Sequence, residues 1–270
     1  MQKQYFKTYS YNLNRDMEFN VYGHGGKPCV VFPCQDGHFY DWEGNRMHDE
    51  VMGPWIEAGK IQLFCVDSID KESWSDKYGD GAYRAQMQEK WYHYVVDEFV
   101  PLVREINGTG EKMMCTGCSM GATHSVNFFL RRPDIFDTVV ALSGVYHASE
   151  FFGAYMDETL YNNSPNDFLP NLPNDHFYIN EYNNSNIIVC VGQGAWEDVM
   201  LDSTRTLQKI FADKGIKGWF DSMVMMALTA AAGYRFGVAH CNFQLRGAES
   251  DEDELLVERE AKRYGYLPYE

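Results

Sequence analysis

A mostly parallel α/β sheet covered by helices, opened by an antiparallel edge hairpin, is the fold class that the sequence predicts. Short apolar or β-branched runs recur along the chain with helical patterns between them. Five of these runs are almost uninterruptedly apolar, as strands buried on both faces must be. A strand-turn-helix signature lies on the third of the five.

The elements follow in order. Gln4–Tyr9 and Met17–Tyr22 have no helical pattern between them and read as the edge hairpin. Cys29–Phe32, Gln62–Val66, Lys112–Thr116, Thr138–Leu142 and Ile187–Val191 are the five buried runs. Trp91, Tyr94, Val95, Phe99, Leu102, Val103 and Ile106 share one helical stripe, which predicts a crossover helix kinked or broken at Pro101. A second helix should open at Ser119 and stop near Arg132, because Pro133 disfavours helical backbone in the residue before it. Residues 161–186 hold nine Asn and three Pro, which favours turns and short helical pieces. This stretch is either a long connection or a lid over a site. A later helix is expected over Met200–Phe211.

Composition bounds the function. The 270 residues are 45% hydrophobic and 15% aromatic, enough for one large or two smaller cores and unlike a disordered chain. A net charge of −16 argues against tracking nucleic-acid phosphates. The N-terminus lacks the apolar core of a signal peptide, and no run of 18 apolar residues occurs, so a soluble, cytoplasmic protein without membrane attachment is expected. Of seven cysteines, Cys29, Cys65, Cys115 and Cys190 lie inside apolar runs, where a reduced thiol behaves as a small hydrophobe. Neither H-E-x-x-H nor a paired C-x-x-C occurs, so no metal and no cofactor is expected.

The strongest signal is Gly117-Cys118-Ser119-Met120-Gly121, a G-x-S-x-G placed after an apolar run and before a helix. A serine on so tight a turn exposes its oxygen above the sheet, and the flanking glycines make room for the turn. Ser119 is therefore the candidate nucleophile, and the Met120 N–H at the helix N-terminus the candidate oxyanion donor. A second donor is expected from Cys34 or Gln35, unless that segment is an ordinary turn centred on Asp36-Gly37. After Ile187–Val191 come Glu197, the candidate acid, and Asp198, its runner-up; both carboxylates would also suit the start of the following helix.

Residues 1 to about 221 resemble the esterase D-like branch of the α/β-hydrolase superfamily. The resemblance is carried by Val30–Tyr40, Leu63–Ser68, Thr116–Ala122, Ala141–Val145 and Val191–Glu197. It implies an α/β-hydrolase-like fold, Ser119 as nucleophile, Glu197 as acid, a small-molecule ester as substrate, and hydrolysis through an acyl-serine. The family then places its base in a segment of the type Gly-x-x-x-His-Asp-Trp after one more strand, here Ile216–Phe220. This chain has no such segment.

Residues 222–270 instead resemble an N-terminal fragment of tRNA(Ile)-lysidine synthetase, most closely in Ala239–Asp251. That family's phosphate loop, Ser-Gly-Gly-x-Asp-Ser, is here Lys217-Gly-Trp-Phe-Asp-Ser222, with Trp219 where glycine should let phosphate approach. The chain thus reads as two units, an esterase-like domain over 1–221 and an appended α/β fragment over 222–270. Ser250 and Asp253 resemble a capping box for a helix in that fragment. His240 is the only histidine after Glu197 and completes the order Ser-acid-His, which makes it the candidate base. His38 and His147 are further candidates near the expected site. Three readings follow: a serine hydrolase acting on a short-chain ester or thioester, a hydrolase scaffold without activity that binds acyl compounds, and an ATP-dependent tRNA-modifying protein, which the altered loop and the acidic charge oppose.

Overall fold

The structure, a computed structural model, describes residues 1–194 and 197–223. Its eight strands are β1 (Lys3–Ser10), β2 (Arg15–Tyr22), β3 (Lys27–Phe32), β4 (Ile61–Val66), β5 (Met113–Cys118), β6 (Phe136–Leu142), β7 (Asn186–Gly192) and β8 (Trp219–Met223). They form one sheet in the order β1-β2-β4-β3-β5-β6-β7-β8. The β1–β2 hairpin and the β2–β4 pair are antiparallel, and every other neighbouring pair is parallel. Expectations that fall on residues 224–270, His240 and the helix capped at Ser250 among them, lie outside the described residues.

The apolar runs form the middle of the sheet because both of their faces are covered. Val30 and Phe32, Phe64 and Val66, Cys115, Val139 and Val189 point into one core cluster; their alternates Cys29, Val31, Leu63, Cys65, Met114, Val140 and Ile188 point into another. The first cluster is closed by α1 (Gly81–His93), α2 (Val100–Asn107), α3 (Met120–Arg131) and α4 (Asp198–Lys214). The second meets Trp42, Met47, Met52 and Ile56 from the short helical segments between β3 and β4. Cys29, Cys65 and Cys115 are fully buried thiols, and burial pushes each of them up.

Two elements depart from the sequence reading. The irregularity expected at Pro101 falls earlier, as a π-helical stretch over Tyr94–Phe99. Pro101 follows directly in the same run of helical backbone, and having no N–H it cannot donate to the turn before it. The last strand begins at Trp219, not Ile216, because Gly215 (φ 66°) ends α4 and Ile216 folds back, its N–H donating to Phe211 O at 2.9 Å. This is a Schellman closure with an apolar residue buried after the glycine. Residues 161–186 form short helical pieces over Pro165–Phe168, Leu169–Asn171 and Phe177–Asn183.

One ionic cluster ties α3 to its surroundings. Arg131 donates to both Glu89 oxygens on α1 (3.1 and 2.7 Å) and to Asn163 Oδ1 (2.9 Å), and lies over the Tyr92 ring. Burial pushes the Glu89 carboxyl up, but the Arg131 hydrogen bonds and charge outweigh it and hold the group below the usual carboxylate range. A lowered folded-state pKa stabilises the fold fully above the unfolded value, about 4.3, and that contribution is lost as pH falls through the folded one. Glu89→Gln should cost about 1–2 kcal/mol at neutral pH and make the acid decline of unfolding free energy shallower, as read by urea titrations from pH 7 to 3.

Candidate active site

Ser119 stands between β5 and α3 with φ 55° and ψ −119°. A non-glycine residue here stores about 1–3 kcal/mol of backbone strain. The strain is held by main-chain bonds: Ser119 N–H donates to Leu142 O at 2.9 Å, and Ser119 O accepts from Ala122 and Thr123. The flanking glycines are sterically required. A Cβ on Gly117 would lie 2.5 Å from the Gly121 carbonyl carbon, and one on Gly121 would lie 2.4 Å from Phe32 O and 2.7 Å from Pro33 O. We expect Gly121→Ala to cost about 2 kcal/mol or more, or to prevent folding, because backbone and not a yielding side chain blocks the added methyl; guanidinium unfolding reads this directly.

Around this turn the loops at the C-terminal ends of the parallel strands converge, as expected of a site on an open α/β sheet. Met120 opens α3, and its side chain is buried with Trp74, Ala148 and Phe152. After β3, Gly37 N–H donates to Cys34 O at 2.9 Å across a turn with Asp36 in the left-handed region, φ 58°. The Cys34 N–H donates to Asp41 Oδ2 at 3.0 Å, so of the two second-donor candidates Cys34 already has an acceptor in this state. Gln35 reaches across by its side chain, Nε2 donating to Ser75 Oγ at 2.8 Å.

Glu197 and Asp198 follow β7 and turn opposite ways. Asp198 is exposed on the first turn of α4. Glu197 folds back onto the strand end: Oε1 accepts from Ser143 Oγ (2.7 Å) and Gly192 N–H (3.2 Å), and Oε2 accepts from Gly194 N–H (3.0 Å). A Cβ at Gly192 would lie 2.1 Å from Glu197 Oε2, so any larger residue there would push the carboxylate out of this position. With strands about 4.8 Å apart, β7 ends about 10 Å from β5, a gap that an imidazole between a serine and a glutamate spans.

The histidines are distributed elsewhere. His38 Nδ1 meets Asp67 Oδ1 at 2.9 Å on the β3–β4 side, away from Glu197; burial pushes the Asp67 carboxyl up, partly offset by the His38 hydrogen bond. His124 is buried against Trp91 with Nε2 3.1 Å from Asp70 Oδ1. His147 is half-buried in the loop after β6. Among the described residues no histidine is bonded to Glu197, and no helix is long and apolar enough to cross a membrane. Ser143 is the site residue that sequence reasoning missed. Its only signal is the Ser143-Gly144 pair directly after the strand beside β5.

Comparisons with known proteins agree with this fold. The family model described as "Putative esterase" matches residues 10–219. Among solved structures, a ferulic acid esterase superposes with a TM-score of 0.70 at 13% identity, covering 89% of this chain and 95% of that one. An S-formylglutathione hydrolase from Agrobacterium tumefaciens gives 0.64 at 14% identity, covering 90% and 94%. One from Staphylococcus aureus gives 0.62 at 14%, covering 89% and 95%. At these identities the likeness shows the fold. The tRNA(Ile)-lysidine synthase of Bacteroides thetaiotaomicron is 42% identical over 50 residues, 18% of this chain and 12% of that protein. That of Porphyromonas gingivalis strain W83 is 48% identical over 44 residues, 16% and 10%. The chain spans about a tenth of the length of these curated relatives, in agreement with the resemblance of its last residues to a synthetase fragment.

Proposed function

The chain belongs to the "Putative esterase" family, and from that premise we propose that it hydrolyses a short-chain carboxylic ester or thioester through an acyl-serine intermediate. The observation that carries this reading is the strained Ser119 backbone on a strand-to-helix turn. Ser119 Oγ attacks the carbonyl carbon, and the Met120 N–H, aided by the α3 N-terminus, holds the developing oxyanion. The Gln35 N–H is the second donor, since the Cys34 N–H is taken by Asp41. His240, oriented by Glu197, takes the serine proton and returns it to the leaving group. Water then cleaves the acyl-serine by the same route in reverse. Residues 1–221 supply this chemistry except for the base, and the 222–270 unit supplies the base alone.

A second reading is an acyl-binding scaffold without turnover, favoured by the absence of a Glu197–histidine bond among the described residues. Intact-mass labelling with a fluorophosphonate separates the two, because only an activated serine reacts quickly. Fast single labelling that is lost in Ser119→Ala supports the hydrolase. A folded wild type that stays unlabelled, yet gains thermal stability with a short-chain acyl ester, supports the scaffold.

A further inference from the structure

We infer that Ser143 is a positioning residue for the acid, its hydroxyl fixing the Glu197 carboxylate so that Oε2 is the oxygen turned to the base. The inference rests on the proposed role of Glu197 and deepens it.

One peptide group links the two arms of the site. The Leu142 carbonyl accepts the Ser119 N–H at 2.9 Å, and the N–H of that same peptide, belonging to Ser143, donates to Cys190 O on β7 at 2.8 Å. The β6 strand therefore fixes the nucleophile on one side and the strand carrying the acid on the other. Just beyond that peptide, Ser143 takes φ 54°, a left-handed conformation that a serine adopts at a cost. That backbone brings Oγ to 2.7 Å from Glu197 Oε1.

Among the described residues the donors divide unevenly over the carboxylate. Oε1 accepts two, from Ser143 Oγ and the Gly192 N–H, whereas Oε2 accepts one, from the Gly194 N–H. A carboxylate oxygen offers about two lone-pair sites, so Oε2 keeps one for an imidazole N–H and Oε1 keeps none. The two backbone donors alone would let the carboxylate rock between its oxygens; the hydroxyl removes that freedom. Ser143 touches neither substrate nor the serine oxygen in this scheme and acts only through Glu197.

The test is a double-mutant cycle on p-nitrophenyl acetate turnover. Ser143→Gly deletes the hydroxyl while adopting φ 54° without strain, which keeps folding apart from function, and Ser143→Asn restores a donor on a residue that tolerates this backbone. Ser143→Gly should lower kcat about ten- to a hundredfold with KM within about twofold, and Ser143→Asn should recover part of the loss. In a Glu197→Gln background Ser143→Gly should change kcat by less than about twofold. An equal loss in both backgrounds, or a rise in KM at constant kcat, overturns the inference while the esterase reading stands. A wild type without turnover overturns that reading, and this inference with it.

Discussion

Ester turnover by Ser119→Ala should fall by about four powers of ten or more while the fold stays intact. A serine triad acts as a unit, so losing the nucleophile removes nearly all of its contribution and leaves what the oxyanion donors and binding supply. Structural damage should be small. Ser119 is held by main-chain bonds, and its Oγ makes no hydrogen bond among the described residues, so the methyl of alanine replaces nothing that the fold uses. Alanine is as strained as serine at φ 55°, whereas glycine is not. Ser119→Gly should therefore be equally inactive but more stable than wild type by about 1 kcal/mol. Steady-state turnover and urea unfolding on the three proteins check both halves. Inactivity in the alanine and glycine variants, with added stability in glycine alone, identifies the strain as the cost of presenting the nucleophile. Activity persisting in Ser119→Ala removes Ser119 from the chemistry.

Most of the sheet was legible because fully buried strands have little compositional freedom. Each run from Cys29–Phe32 to Ile187–Val191 falls on a central strand, with only Lys112 left just before β5, and even the cysteines divide by alternation between the two faces. Ser119 was legible for a steric reason: the glycines at 117 and 121 are the residues whose absent methyls let strand, helix and the Phe32-Pro33 carbonyls pack together. What could not be read depends on tertiary contacts. Pro101 signals an irregularity in its helix but not that it takes π form over Tyr94–Phe99. The taking of the Cys34 N–H by Asp41 is a matter of loop closure. The Ser143–Glu197 bond joins residues 54 positions apart and exists only because β6 lies between the strands that lead to Ser119 and Glu197.

Removing the base should cost as much as removing the nucleophile, and His240→Ala is the variant in which to see it. Without a group to take the Ser119 proton the hydroxyl is a weak nucleophile, and loss of the histidine in such a triad lowers kcat by several powers of ten. The geometry limits which histidine can fill the role. A base that serves Ser119 and is held by Glu197 must lie between β5 and the Glu197 carboxylate, and His38 is engaged with Asp67 on the opposite side of Ser119. His124 is occupied in the core with Asp70. His38→Ala should accordingly change fluorophosphonate labelling by no more than a few-fold, whereas His240→Ala should slow it by about a thousandfold or more. Added imidazole should restore part of that rate, because Glu197 Oε2 still offers an acceptor to an imidazole free in solution. Rescue by imidazole would mean that the tail supplies only the missing proton acceptor to a site otherwise assembled by residues 1–221. Labelling that is equally fast with and without His240 would mean that the appended unit takes no part in the chemistry, and that His147, in the half-buried loop after β6, is the residue to replace next.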